Sequence, residues 1–199
     1  MPKKILILGG GVGGVVAAKR IAERIRGGRA DAEITVISDT DYYLLPPLLV
    51  NIALGDIEPS KAQLPLSMLE RRGGVKFVKA KVTKVDPDNR VVETDQGKFN
   101  YDYLLASLGV DFDFQSYNLG VGYHNYTLDG ALKLRDALKS FSGGKVVIFT
   151  PEPVYRCGVY PFEFAAQLDT VFRKRGGIRD RVDITLVHPF EKPIQPPGT

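Results

Sequence analysis

Two stretches of this chain hold residues whose types and spacing can do chemistry. The first is Gly9-Gly10-Gly11-Val12-Gly13-Gly14, in which Gly9, Gly11 and Gly14 satisfy G-x-G-x-x-G. The first glycine of such a turn permits a tight reversal, the second lets backbone approach a pyrophosphate, and the third lets helix and strand pack closely. The second stretch is Tyr155-Arg156-Cys157-Gly158-Val159-Tyr160-Pro161-Phe162-Glu163, around the single cysteine of the chain. A lone cysteine is most often an inert buried residue. Here Arg156 stands beside it and a helix with Pro161 at its first position is expected to follow; a cation and a helix N-terminus both favour the thiolate. From these residues alone both readings of Cys157 stay open.

The glycine turn needs a strand before it and a helix after it. Lys3-Lys4-Ile5-Leu6-Ile7-Leu8 reads as a buried strand, and the helix beginning near Val12 runs to about Arg26, stopping at Gly27-Gly28. That helix would turn its unpaired N–H groups and the positive end of its dipole toward phosphates, with Gly9, Gly11, Val12, Gly13 and Gly14 as the binding turn. A β-branched strand, Glu33 to Ser38, follows and ends at Asp39. Ser38 or Asp39 at that strand end is placed to accept ribose hydroxyls, a little farther from Gly14 than the usual spacing of about 20 residues, with Gly27-Gly28-Arg29 taking up the difference. The alternative is that Asp39 only starts a turn with Thr40 and Asp41.

Tyr42 to Val50 is apolar, but Pro46 and Pro47 are expected to keep it from running as a regular strand or helix. It either packs against a flat cofactor ring, with Pro47 as a contact, or covers the core as a buried loop. Strands are then expected at Val75 to Ala80, Lys81 to Val85 (which contains Val82), Arg90 to Thr94 and Lys98 to Asn100, with turn chemistry in Asp86-Pro87-Asp88-Asn89 and Asp95-Gln96-Gly97. They read as a β-meander inserted where a plain nicotinamide-binding fold continues with helices. A further buried strand, Tyr101 to Ala106, leads to Ser107-Leu108-Gly109. This pattern points to a flavin domain more than to a nicotinamide dehydrogenase domain.

After an irregular aromatic stretch, Val110 to Asn125, helical spacing runs from Leu128 to Phe141. A second strand–helix–strand unit is expected from strand Lys145 to Phe149, a helix from about Pro161 to Arg175, and strand Val182 to Val187. The fold class is therefore α/β: a Rossmann-like FAD-binding domain with an inserted β-meander over residues 1–110, then the start of a second Rossmann-like domain over residues 111–199. Neither sheet reaches its full set of strands, and Pro189 to Thr199 closes no element, so the chain is expected to be an incomplete half.

Composition narrows the function classes. The 199 residues are 44% hydrophobic and 25% charged, ordinary globular material. A formal charge of +4 is spread among acidic residues, and clusters such as Arg71-Arg72 and Arg173-Lys174-Arg175 fall at expected helix ends, which argues against nucleic-acid binding. One cysteine makes no internal disulfide. The first strand starts near Met1, so no cleavable signal peptide is expected, and no apolar run has transmembrane length. His124 and His188 stand too far from other ligands for a metal site and are read as structural.

The whole chain resembles the N-terminal half of flavin-dependent disulfide-reductase-like enzymes of the sulfide:quinone oxidoreductase group, with flavocytochrome c sulfide dehydrogenase and type II NADH dehydrogenase as close relatives. The carrying segments are Ile5 to Gly14, Ile34 to Asp39, Tyr101 to Leu105 with Gly109, and Tyr155 to Ala165. The resemblance implies FAD held at Gly9 to Gly14, Ser38, Asp39, Pro47, Val82, Ser107 and Gly109. It also implies that Cys157, followed by Pro-x-Glu-x-Ala, stands beside the flavin and carries sulfur. Sulfide would become polysulfide or sulfur and the electrons would reach quinone. The C-terminal half would supply the partner cysteine and the quinone pocket, together with peripheral contact with the cell membrane; a homo-oligomer is expected, and this half alone is expected not to turn over.

Two departures stand out. Many members carry another cysteine where this chain has Tyr126, and the usual Ala-Thr-Gly is here Ser107-Leu108-Gly109. The competing readings are a type II NADH:quinone dehydrogenase-like flavoprotein and a non-catalytic nucleotide-binding fragment. NADH needs its own pyrophosphate turn, whereas Ile148-Phe149 is followed by Thr150-Pro151-Glu152-Pro153-Val154. Prolines donate no N–H and a carboxylate repels phosphate, so that turn is a poor cradle.

Overall fold

The computed structural model describes residues 1–28, 31–115, 122–152, 155 and 157–190, with only the backbone of 72 and 73. Contacts divide the chain into two compact units, Met1–Leu45 with Ser60–Phe112, and Pro46–Pro59 with Asp113–Thr199. Residues 46–59, which the sequence reading runs with the first domain, thus fall in the second unit.

The first unit is built on a four-stranded parallel sheet in the order β5-β2-β1-β9. Its strands are β1 (Lys3–Leu8), β2 (Ala32–Ser38), β5 (Lys76–Lys79) and β9 (Tyr103–Ala106). The unbroken apolar run of β1 is what a parallel strand covered on both faces requires. Ile7 packs on one face with Ile34, Val36, Ala18 and Ala22, while Leu6 and Leu8 pack on the other with Ile37 and Val92. Helix α1 (Val12–Arg26) buries Gly14, Ala18 and Ala22, one small residue per turn, so its backbone lies close to the sheet.

The opposite face is covered by the antiparallel meander β6 (Val82–Asp86), β7 (Val91–Thr94) and β8 (Gly97–Asn100), whose Val92 is fully buried. The meander has three strands, not the four expected. The run beginning at Val75 forms β5, which pairs in parallel with β2 from Thr35↔Lys76 to Ser38↔Lys79. Val75 and Phe77 lie against the α1 side and Val78 against the meander side, the two-sided burial of a sheet strand.

The proline-bearing stretch is also more regular than expected. It gives β3 (Tyr42–Leu44), antiparallel to β4 (Gln63–Pro65), then a 3-10 turn at Pro46–Leu48 and helix α2 (Leu49–Leu54). Both prolines sit at the junction between elements, where a missing N–H costs no ladder or helix bond. Helix α3 (Met68–Gly73) leads into β5.

The second unit contains α2, α4 (Leu128–Ser140), β10 (Gly144–Phe149), α5 (Tyr160–Lys174) and β11 (Val182–Val187). Strands β10 and β11 pair in parallel from Gly144↔Val182 to Phe149↔Val187. Thr127 caps α4, its Oγ1 accepting from the Gly130 N–H at 3.1 Å. The core gathers Leu54, Leu138, Leu168, Phe172 and Val182. Phe172 is the largest fully buried side chain among the described residues, so Phe172→Ala is expected to destabilise the chain by about 3–5 kcal/mol. Urea unfolding of the two proteins checks this, and a loss below about 1 kcal/mol would show that the site collapses around the deletion.

Candidate functional site

In the first unit the carboxyl ends of β2, β1 and β9 lie side by side, with Leu8 level with Ile37 and with Ala106. Ligands of open parallel sheets bind beyond this edge. Asp102 fixes the register of β9, its carboxylate accepting from the Lys4 N–H at 2.8 Å and its own N–H donating to the Lys4 carbonyl at 2.8 Å. The Lys4 N–H, then the Lys3 ammonium 3.3 Å away, hold that carboxyl below its usual range. This is what the Tyr-Asp-Tyr segment contributes: it sets where Ser107 arrives.

Ser107 is bound twice to β1, its N–H and its hydroxyl both donating to the Leu8 carbonyl at 2.8 and 2.9 Å. It forms one wall of the glycine turn. Gly9 has φ +103° and donates to the Ile37 carbonyl at 2.8 Å; a Cβ there would lie 2.2 Å from the Ser107 carbonyl oxygen. A Cβ on Gly14 would lie 1.9 Å from the Gly9 carbonyl oxygen, and one on Gly13 would press on Ser107 Cβ at 3.2 Å. Gly11, the N-cap of α1, has nothing within 4 Å of its Cβ position. The first turn of α1 carries no acidic residue and its cap position makes no side-chain hydrogen bond, which leaves the first N–H groups of the helix to a ligand. Val12 is 64% exposed at that same end. A tight inner packing with an open outer backbone is the shape an anionic pyrophosphate fits.

Ser38 is buried, its Oγ 3.4 Å from Thr40 Oγ1, and Asp39 is exposed just beyond β2. Gly10, which the motif counts only as a spacer, is closed in by side chains: a Cβ there would lie 2.4 Å from Leu66 Cδ1 and 2.9 Å from Ser38 Oγ. Asp41 is engaged by Lys79 at 3.1 Å, and that ammonium holds its carboxyl below the usual range. Gly109 takes φ +84°, and Leu108, where the family pattern has a hydroxyl, is 61% exposed. Val82 opens β6 half-buried against the Leu6, Leu8 and Val92 cluster, so its side chain is committed to packing. The structure thus brings together Gly9, Gly13, Gly14 and Ser107, with Ser38 beside Gly10. Pro47 is exposed in the 3-10 turn of the second unit.

In the second unit the β10–α5 connection differs from the β1–α1 turn. It runs from Thr150, bound to the Val187 carbonyl at 3.0 Å, to the start of α5 at Tyr160, with Glu163 in the first turn of that helix. A carboxylate there occupies the end of the dipole that an anion would use. Cys157 is exposed, and its carbonyl accepts from the Tyr160 N–H at 3.0 Å. Burial pushes the Tyr160 phenol up to about 12, and Asn125 donates to its hydroxyl. Arg156, Pro153 and Val154, invoked from the sequence, lie outside the described residues, as does the stretch 191–199.

The two histidines are built in differently. His124 stacks on Phe114 with ring centroids 4.2 Å apart and lies against Gly130, and burial lowers its pKa. His188, just past β11, stands 2.6 Å from the Tyr155 hydroxyl. No spacing signal in the sequence points to that pair. Among the described residues no three His, Cys, Asp or Glu side chains gather where a metal ion could be held.

The pyridine nucleotide-disulphide oxidoreductase family matches residues 3–192. By sequence the chain is 28% identical over 193 residues to the sulfide-quinone reductase of Aquifex aeolicus, covering 94% of this chain and 43% of that protein. The crystal structure of the sulfide:quinone oxidoreductase from Aquifex aeolicus superposes with a TM-score of 0.80 at 31% identity, over 92% of this chain and 42% of that one. A type II NADH:quinone oxidoreductase of Staphylococcus saprophyticus is 34% identical over 119 residues, 60% of this chain and 28% of that protein. The chain therefore spans about two fifths or less of the length of these relatives.

Proposed function

Because the chain belongs to the pyridine nucleotide-disulphide oxidoreductase family, we propose that it is the cofactor-cradling and sulfur-carrying part of a flavin-dependent sulfide:quinone oxidoreductase. In this reading the Gly9–Gly14 turn would hold the pyrophosphate of FAD. The backbone of Gly11, Val12 and Gly13 would meet the phosphates, Ser38 and Asp39 would take the ribose, and Ser107 and Gly109 would complete the lining on the first unit. Bound FAD would supply the two-electron redox centre that protein side chains lack. Cys157 holds the sulfur. Sulfide loses two electrons as its sulfur reaches the zero-valent level of a persulfide or polysulfide, and quinone takes up those electrons with two protons as quinol. A peripheral position at the membrane, where quinone dissolves, and assembly as a homo-oligomer go with this reading; no described helix is long and apolar enough to cross a membrane.

The observation that carries the choice of sulfide is the contrast between the two strand–helix connections. At β1–α1 a bare glycine turn opens onto a helix N-terminus, whereas at β10–α5 the helix start carries Glu163 and an exposed cysteine precedes it. The similarity to type II NADH:quinone oxidoreductases supports the second reading, with NADH as donor. The test mixes the protein at its full natural length, yellow with flavin, anaerobically with sulfide or with NADH. Rapid bleaching by sulfide and none by NADH is expected; bleaching by NADH alone would replace the sulfide reading with the NADH one, and a colourless protein would remove both.

A further inference from the structure

We propose that Tyr155 and His188 are positioning residues that hold the Cys157 loop through a relay of three hydrogen bonds, a role that rests on Cys157 being the sulfur carrier. The hydrogen-bond directions follow from the inventory of donors. The Tyr155 hydroxyl has one proton, and it donates to the Gly158 carbonyl at 2.9 Å. Its contact with His188 Nε2 at 2.6 Å therefore needs the proton on the imidazole. The other ring nitrogen, Nδ1, accepts from the Phe190 N–H at 3.4 Å. The neutral ring with its proton on Nε2 satisfies all three contacts at once. The relay runs from the Phe190 N–H through the imidazole and the phenol to the carbonyl of the residue that follows Cys157.

The surroundings fix both rings. Tyr155 meets His188 edge-on with centroids 5.8 Å apart, and Phe162 and Phe190 each lie 5.1 Å from the imidazole. Burial, then the neighbouring Cys157, holds the Tyr155 phenol above its ordinary range, so the hydroxyl keeps the proton it donates. Tyr155 and Gly158 bracket the cysteine, so the bond between them closes a small loop whose only thiol is Cys157. The relay anchors that loop to the end of β11, whose parallel pairing with β10 continues to the bond from the Thr150 N–H to the Val187 carbonyl. A reacting sulfur on an untethered surface loop would sample many positions, and restricting it is where orientation gains rate.

The test exploits the single cysteine. A nitroxide spin label on Cys157 of this chain reports loop motion, compared across Tyr155→Phe, His188→Phe and His188→Gln at matched thermal stability. Tyr155→Phe and His188→Phe keep a ring in place and delete the relay; His188→Gln keeps an N–H donor. The relay predicts about fivefold faster label motion in the two Phe variants, the population change that one lost hydrogen bond gives, and motion within about twofold of wild type in His188→Gln. In the protein at full natural length, kcat for sulfide-dependent quinone reduction should fall about fivefold in the Phe variants with KM for quinone unchanged, and recover in His188→Gln. Wild-type label motion and kcat in both Phe variants would overturn the relay. Failure of the sulfide reading would show instead as an inactive wild type, whatever the label reports.

Discussion

Gly14→Ala is expected to abolish dinucleotide retention and to destabilise the chain by about 4 kcal/mol, at the far end of single-substitution effects. The reason is backbone against backbone. A Cβ at this position would lie 1.9 Å from the Gly9 carbonyl oxygen, with Gly9 C at 3.1 Å and Ser107 Oγ at 3.1 Å. No side chain can rotate aside, so α1 must lift from β1 or the turn must open. Lifting α1 withdraws Ala18 and Ala22, both buried, from the Ile7, Ile34 and Val36 face. Opening the turn moves Gly9 off the Ile37 carbonyl and displaces the N–H groups that would meet phosphate. Gly11→Ala is the control: its Cβ meets nothing within 4 Å and its φ of −78° suits any residue, so the apo fold should be unchanged. Urea unfolding and flavin content after purification read both effects, and a Gly14→Ala protein as stable and as yellow as wild type would refute the cradle.

Cys157→Ser should lower sulfide-dependent quinone reduction on the order of a thousandfold or more, as loss of a covalent nucleophile does, with little change in stability. The separation of the two effects is the informative part. Cys157 is exposed and bonds to its surroundings through its carbonyl, accepting from the Tyr160 N–H, a contact that serine retains. Serine has nearly the shape of cysteine but forms no persulfide. Flavin content and unfolding midpoint should therefore match wild type while turnover disappears. Undiminished sulfide oxidation in this variant would remove Cys157 from the chemistry and leave the glycine cradle untouched.

Much of the first unit was legible in the order of its residues. The run Ile5 to Leu8 has no polar interruption, and the glycines that follow stand at spacings whose steric meaning is local: Gly9 and Gly14 are five residues apart, so their clash can be read before any long-range contact is known. The β7–β8 and β6–β7 turns carried their own chemistry in the same way. β5 did not. A short apolar strand reads identically whether it pairs in parallel with β2 or antiparallel with β6, and only burial of Val75 and Val78 against opposite faces decides for the parallel sheet. The same holds for residues 46–59, whose prolines were visible but whose packing of Leu54 with Leu168 and Phe172 joins positions more than a hundred residues apart.

The candidate site divides along that line. By itself the sequence determined the glycine turn, its strand and helix, and the identity of the one cysteine that precedes α5, because each depends on backbone conformation or residue type within a few positions. The tertiary structure alone decided that Ser107 walls the turn, that Gly10 is closed in by Leu66 and Ser38, and that His188 reaches Tyr155. Ser38, Ser107 and His188 stand where parallel strands bring their carboxyl ends level. Such strands are joined by long crossovers rather than tight turns, so the residues that meet at their ends are far apart in the chain and no local spacing announces them.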